Sequence, residues 1–234
     1  MLMDITSFGG CEDRYIQIEK REVSQNRFYT DTFKWMFIGL MVSAITAFIT
    51  AFFGTMGYVS SPLMFILCLV EVALVLLFSK KFDEVSENVA LLMYFLITFV
   101  NGITLSSIFY VYDLGSIALS FVLAAVMFGV MAVYGNVTKR DISKWLPMLI
   151  VALITCLIAL IINLFIGNTW LDILISIAVI VVMMLVTAYD FHMMKYKEIR
   201  EMNNAHIYFA LAIYLDFLNI FLYVLRLFGI KAKD

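Results

Sequence analysis

Charge is scarce in this chain, and so is most of what charge usually supports. Asp, Glu, Lys and Arg make up 15% of the 234 residues, against 64% hydrophobic residues and a mean hydropathy of +0.99. A soluble domain carries about 25% charged and about 45–50% apolar residues. The formal net charge of −2 is too small to suggest a nucleic-acid partner. Cysteine is limited to Cys11, Cys68 and Cys156, with no CxxC pair, so there is no disulfide framework or thiolate metal site, and all three are read as packing residues. Enzyme signatures are missing: there is no HExxH, no GxSxG and no Walker loop. His192 has no second His at ligand spacing, which argues against a zinc hydrolase. Tyr214-Leu215-Asp216 lacks the GxGD pattern of intramembrane aspartyl proteases. The expectation is a protein that is not an enzyme and carries no cofactor. Alternating strands are absent, and no apolar segment follows a basic start, so neither a β-barrel nor a cleavable signal peptide is expected.

What remains is a series of long apolar blocks, each of a length that suits a membrane-crossing helix. The predicted class is all-α, a polytopic membrane protein with seven transmembrane helices. The spans fall at about Phe33–Tyr58, Leu63–Ser79, Asn88–Tyr112, Ser116–Tyr134, Leu146–Ile166, Trp170–Met194 and Ala205–Phe228. Lys34 and Trp35 anchor the first at the interface. The turn Gly57-Tyr58-Val59-Ser60-Ser61-Pro62 ends it. Residues 1–31 are polar and read as a cytosolic N-terminal tail; residues 32–234 read as one transmembrane domain.

Lys and Arg concentrate in the N-terminal tail and in the loops after spans two, four and six, while the turns after spans one, three and five have none. This is the positive-inside pattern, so the N-terminus is placed in the cytosol. Lys231 and Lys233 at the C-terminus are the discordant feature and leave a re-entrant last segment open, although the run is long enough for a full crossing. Tight outer turns pair the first six spans into three hairpins, with the seventh helix alone and central among them.

That seventh helix carries a carboxylate, Asp216, in the middle of its apolar run, where a charge costs several kcal/mol unless something stabilises or uses it. Ala212, Asp216, Asn219, Tyr223 and Arg226 share one face at steps of three and four. A second acid, Asp190, stands near the end of the preceding span. Two carboxylates in contact in a dry site cannot both ionise cheaply, so one proton is shared. Such a pair bridges two helices when protonated, and without the proton it separates or takes a cation. Ca²⁺ suits carboxylate and carbonyl oxygens, so Asp190 and Asp216 are also the residues that would hold it transiently. Glu71, Asn101, Asn219 and Tyr223 are candidates for the supporting polar lining. Glu71 either shares the aspartate cavity or packs near an interface. The asparagines read first as interhelical hydrogen-bond partners, and His192 and His206 as interface residues beside the loop from residue 195 to 204.

Four segments together carry a resemblance: Asn101-Gly102-Ile103-Thr104-Leu105-Ser106-Ser107-Ile108-Phe109, Tyr134-Gly135-Asn136-Val137-Thr138-Lys139-Arg140-Asp141, Thr187-Ala188-Tyr189-Asp190 and Leu215-Asp216-Phe217-Leu218-Asn219. The chain resembles the Bax inhibitor-1 family, also called the transmembrane Bax-inhibitor-motif family, in its bacterial branch. The resemblance implies a seven-helix fold with the last helix surrounded by the others. It also implies a pH-sensitive calcium leak governed by an aspartate pair, which maps onto Asp190 and Asp216. Where relatives continue the first aspartate motif with Thr and Gln, this chain has Phe191 and His192. Some relatives bring a basic residue from span two to the pair; Lys80 and Lys81 are the candidates by position. The cell-death role of eukaryotic relatives is not carried over. The expected function is a pH-sensitive calcium, or more broadly cation, leak channel in a bacterial inner membrane. The alternatives are a proton-coupled small-solute transporter and a non-transporting regulator of other membrane proteins. The expected partners are the lipid bilayer, Ca²⁺ and protons, with membrane proteins in the regulator reading and no nucleic acid.

Overall fold

The computed structural model describes residues 6–53 and 61–230, with side chains described for residues 25–53, 66–196 and 198–230. Residues 57–60 of the first expected turn and the basic pair Lys231 and Lys233 lie outside the described residues. The described chain is helical throughout, with no strand: α1 (Thr6–Phe52), α2 (Ser61–Lys81), α3 (Glu87–Leu105), α4 (Ile108–Val111), α5 (Leu114–Val137), a 3₁₀ turn (Ser143–Trp145), α6 (Leu146–Ile166), α7 (Thr169–Met193), α8 (Lys197–Arg200) and α9 (Ala205–Phe228). Six segments among the described residues are long and apolar enough to cross a membrane: Gln25–Phe52, Glu87–Val111, Leu114–Val137, Ser143–Ile166, Thr169–Met193 and Ala205–Phe228. The remaining expected span corresponds to α2, whose side chains are described only from residue 66. The tail expected over residues 1–31 has no helix break from the first span, because α1 runs without interruption from residue 6. The Lys34 ammonium lies 5.1 Å from the Trp35 ring centroid, a cation–π contact at the expected anchor.

Cross-helix contacts give the direction of each helix. The Tyr94 hydroxyl donates to the Trp35 carbonyl (2.6 Å), Ser43 Oγ to the Thr98 carbonyl (2.7 Å), and the Tyr110 hydroxyl to the Ala51 carbonyl (2.7 Å). Residue numbers rise together, so α1 and α3 run parallel, and the intervening chain returns from one end of the bundle to the other through α2. By the same test α9 runs parallel to α1, with Phe28 against Phe209 and Ser43 against Tyr214. It runs antiparallel to α5, where Phe121 packs on Phe217 and Phe221 and Ser116 lies beside Ile230. At 24 residues α9 is about 36 Å long and joins the two ends of the bundle.

The last helix is central, as expected. Fourteen of its 24 residues are buried, against two of 21 in α6. It packs on α1, α5 and α7, with a lighter contact to α3. The expectation of three hairpins is corrected. Of the three expected pairs, only α6 with α7 packs as a hairpin among the described residues; α1 lies on α3 and α9, α2 pairs instead with α3, and α5 lies on α7 and α9. Short turns fix which helices follow one another, but close packing follows small residues. Gly102 of α3 sits against α1, where a Cβ would lie 2.7 Å from the Ser43 carbonyl oxygen and from Thr46 Cβ. Gly135 of α5 admits the Ala188 carbonyl of α7 in the same way.

Span three, expected as one run to Tyr112, breaks after Leu105. The hydroxyls of Thr104, Ser106 and Ser107 bond back to the carbonyls of Asn101 (2.8 Å), Ile103 (2.6 Å) and Thr104 (2.9 Å). Local bonding of this kind competes with the helical ladder, and α4 restarts after it. Asp113 then caps α5, accepting from the Ser116 hydroxyl (2.6 Å) and from the amides of Gly115 and Ser116. The Ser116 hydroxyl in turn accepts from the Ile230 amide (2.9 Å), while the Asp113 amide donates to the Ile230 carbonyl (3.1 Å). The cap therefore also fastens the end of the central helix.

Two outcomes test this packing. Gly102→Ala is expected to cost about 1–3 kcal/mol through overpacking and to lower the thermal midpoint in detergent. Gly129→Ala, where an added Cβ meets nothing within 4 Å, is expected to leave the midpoint unchanged or raise it. At Asp113 the Ser116 hydroxyl, then the backbone amides, hold the carboxyl below its ordinary range. Its capping contribution is therefore complete above the unfolded carboxyl value of about 3.9 and disappears as pH falls through the lower folded value. Asp113→Ala is expected to lower the midpoint at pH 7, with the difference from wild type closing in strong acid.

Candidate functional site

The buried polar groups of the bundle are few and follow α9. Nearest the middle, the Tyr214 hydroxyl donates to Ser43 Oγ (2.6 Å), which passes its own proton to the Thr98 carbonyl. This chain ties α9, α1 and α3 together and leaves no open valence, so it reads as structure.

Asp216 is different. It projects from the middle of α9, is 4% exposed, and its Oδ2 has no hydrogen-bond partner. Asp190, near the end of α7, stands beside it, and the two carboxyl groups interact across one cavity wall. A carboxylate is an acceptor only, so a bond between two carboxyl groups requires that one holds a proton. Both line a cavity of about 180 Å³ together with Val75, Ser79, Tyr208, Leu211, Ala212 and Leu215. The two acids of the sequence reading are thus brought together. Lys80 and Lys81, the candidates for a basic contact, are both exposed and do not line this cavity; Ser79 occupies that side.

Three further cavities continue the line. Asp190 also faces a space of about 210 Å³ towards the loop end, walled by Phe82, Tyr189, Met193, Ile199, Met202, Ala205, Tyr208 and Phe209. In the other direction Leu215 separates the aspartate cavity from one of about 290 Å³, which holds Glu71, Asn101, Thr104 and Asn219. Leu222 and Asn219 border both that cavity and a vestibule of about 920 Å³ at the opposite end. The α9 stripe Ala212, Asp216, Asn219, Tyr223 and Arg226 therefore lines the series in order. Glu71 belongs to the neighbouring cavity and not to the aspartate pair. Its Oε1 accepts from Asn101 Nδ2, while Asn101 Oδ1 is buried without a partner. Asn219 Nδ2 donates to the Leu215 carbonyl (2.8 Å), and Tyr223 reaches the vestibule.

Sequence reasoning missed Asp172. It forms a two-pronged ion pair with Arg226, with Nε to Oδ2 at 3.0 Å and Nη2 to Oδ1. The signal was present: Asp172 is a lone charge at the start of one apolar run and Arg226 a lone charge at the end of the next. It also missed Asn203 and Asn204, which hold the α2–α3 connection. His192 is 5% exposed with Nδ1 unpartnered and Nε2 3.3 Å from the Tyr196 hydroxyl, and it does not line the aspartate cavity. His206 Nε2 lies 3.7 Å from Glu87 Oε1. Among the described residues no group of three or more His, Cys, Asp or Glu is arranged to hold a metal ion.

Comparison with known proteins agrees with the geometry. Residues 25–233 match the family described as Inhibitor of apoptosis-promoting Bax1. An uncharacterized protein of Borreliella burgdorferi is 34% identical over 226 residues, covering 92% of this chain and 97% of its own. The inner membrane protein YbhL of Escherichia coli strain K12 is 34% identical over 212 residues, 86% of this chain and 91% of its own. The YrjE protein of Lactococcus lactis is 32% identical over 232 residues, 95% and 98% respectively. With its helices, its central α9 and its sequence all in accord, this multi-pass membrane protein belongs to the Bax inhibitor-1 family.

Proposed function

We propose that this protein is a cation leak, with Ca²⁺ as the permeating ion, gated by the proton shared between Asp190 and Asp216. The observation that carries the reading is that two carboxyl groups, Asp190 and Asp216, share the wall of one cavity within a file of four. Neighbouring cavities have one to three lining residues in common, Leu215 and Leu222 among them, so in this reading small displacements of α9 against its neighbours join them. Oxygen donors along the file, from Glu71, Asn219 and the aspartates, suit a hard cation. The ion is cargo, and nothing in the reading requires a resident cofactor or catalysed chemistry.

The reading takes α2 as a seventh crossing, which the parallel run of α1 and α3 supports. It places the protein in a bacterial cytoplasmic membrane, as the printed name of the Escherichia coli relative supports. The loop end rich in Lys and Arg faces the cytosol together with the N-terminus, and the end of α9 faces outward.

The sign of the pH response follows from the pair. With the shared proton, the two carboxyl groups bridge α7 and α9 and the path is closed. As pH rises and the proton leaves, two like charges repel, by roughly 4 kcal/mol for any unit pair at about 4 Å and an effective dielectric of 20. The helices then separate or a cation takes the proton's place, and flux rises. In liposomes loaded with a calcium dye, wild-type leak is expected to increase with pH. Asp216→Asn keeps a neutral bridge that no proton can release, so its leak is expected to fall to near background and to lose its pH dependence. Wild-type flux and pH response in that variant sink the proposal. Accumulation of another solute driven by a proton gradient favours a transporter instead. A stoichiometric protein partner with no flux from pure protein favours a regulator.

A further inference from the structure

Asp190 faces the loop end through a second cavity, and what closes that cavity is built from two connections distant in sequence. Phe82, at the end of α2, stacks on Tyr208 of α9 with ring centroids 4.4 Å apart, and both rings wall the cavity. Phe82 is held in place from the other side by Asn204. The Asn204 amide donates to the Phe82 carbonyl (2.7 Å) and to the Val85 carbonyl (2.9 Å). Neighbouring Asn203 donates its backbone amide to Asp83 Oδ1 (2.7 Å) and its side-chain amide to the Asp83 carbonyl (3.3 Å). Asn204 is the one non-glycine residue among those described with positive φ, at 53°. Asparagine tolerates that left-handed conformation better than other residues with a side chain. Here it aims the amide across to the other connection instead of along its own helix.

We propose that Asn203 and Asn204 form a latch that seats Phe82 over the Asp190 cavity, making the α2–α3 connection the inner gate of the path. Asn204 is a positioning residue that acts through Phe82. The inference rests on the leak reading for its purpose, but its geometry stands without it. Releasing the two carbonyls frees the α2–α3 connection, lets Phe82 lift from Tyr208, and opens the aspartate cavity to water from the loop end.

The test uses Ala212→Cys, which places a thiol on the wall of the aspartate cavity. The full-length protein in detergent is treated with a charged thiol reagent, and labelling at position 212 is timed by mass spectrometry. Native Cys156 on α6 serves as the internal control. Asn204→Gly keeps the left-handed backbone and removes both donors. It is expected to speed labelling at position 212 at least tenfold, with Cys156 changing less than twofold. Asp83→Ala removes only the bond to the Asn203 amide and is expected to give a smaller rise of at least threefold; it decides the matter if Asn204→Gly does not fold. An unchanged rate at position 212, or an equal rise at both cysteines, overturns the latch. Calcium flux is measured on the same variants. Faster labelling without calcium flux leaves the latch standing and removes the leak reading. Altered flux without faster labelling does the reverse.

Discussion

Asp216 has little room in which to carry a charge. It lies 4% exposed on the most buried helix of the bundle, and one of its oxygens has no donor. An ionised carboxylate there, without compensation, costs more than any single packing contact returns. Asp190, near the end of α7, faces the same cavity, and in the proposed reading a proton held between the two resolves the problem and ties the end of α7 to the middle of α9. The same constraint explains why α9 is central: its polar face must turn away from lipid, and only the bundle interior offers partners.

The other polar groups on and around α9 fall into two kinds. The Tyr214–Ser43–Thr98 chain is saturated and joins three helices. The second kind is incomplete: Asp216 Oδ2, Asn101 Oδ1 and His192 Nδ1 are each buried without a partner. Two of these three residues line the file of cavities. The saturated chain holds the scaffold. Alongside, Gly102 and Gly135 bring backbones close enough that a neighbour must move if they are replaced.

Much of this was legible in the sequence, for identifiable reasons. Hydropathy located the six spans found among the described residues because apolar length is a local property. The spacing of Asp216, Asn219, Tyr223 and Arg226 at steps of three and four reported a face, and that face does line the cavities. The hairpin pairing was not legible, because it depends on which small residues of distant helices meet, such as Gly102 with Ser43. The break after Leu105 was signalled by Ser106 and Ser107, yet hydropathy alone read through it. Glu71 was placed on the right helix but one cavity away from the aspartates, since only packing shows that Leu215 stands between. The Asn204 contacts bridge more than 110 residues and leave no local trace beyond an Asn-Asn pair.

The vestibule at the far end of α9 holds two charged side chains, Asp172 and Arg226, and they neutralise one another. Each also sits at the helix terminus whose dipole favours it, the acid in the first turn of α7 and the base in the last turn of α9. The vestibule's described lining therefore carries no unpaired charge of its own. In the proposed leak, this lining by itself neither draws an ion in nor turns it away, and discrimination by charge is left to the narrower chambers within.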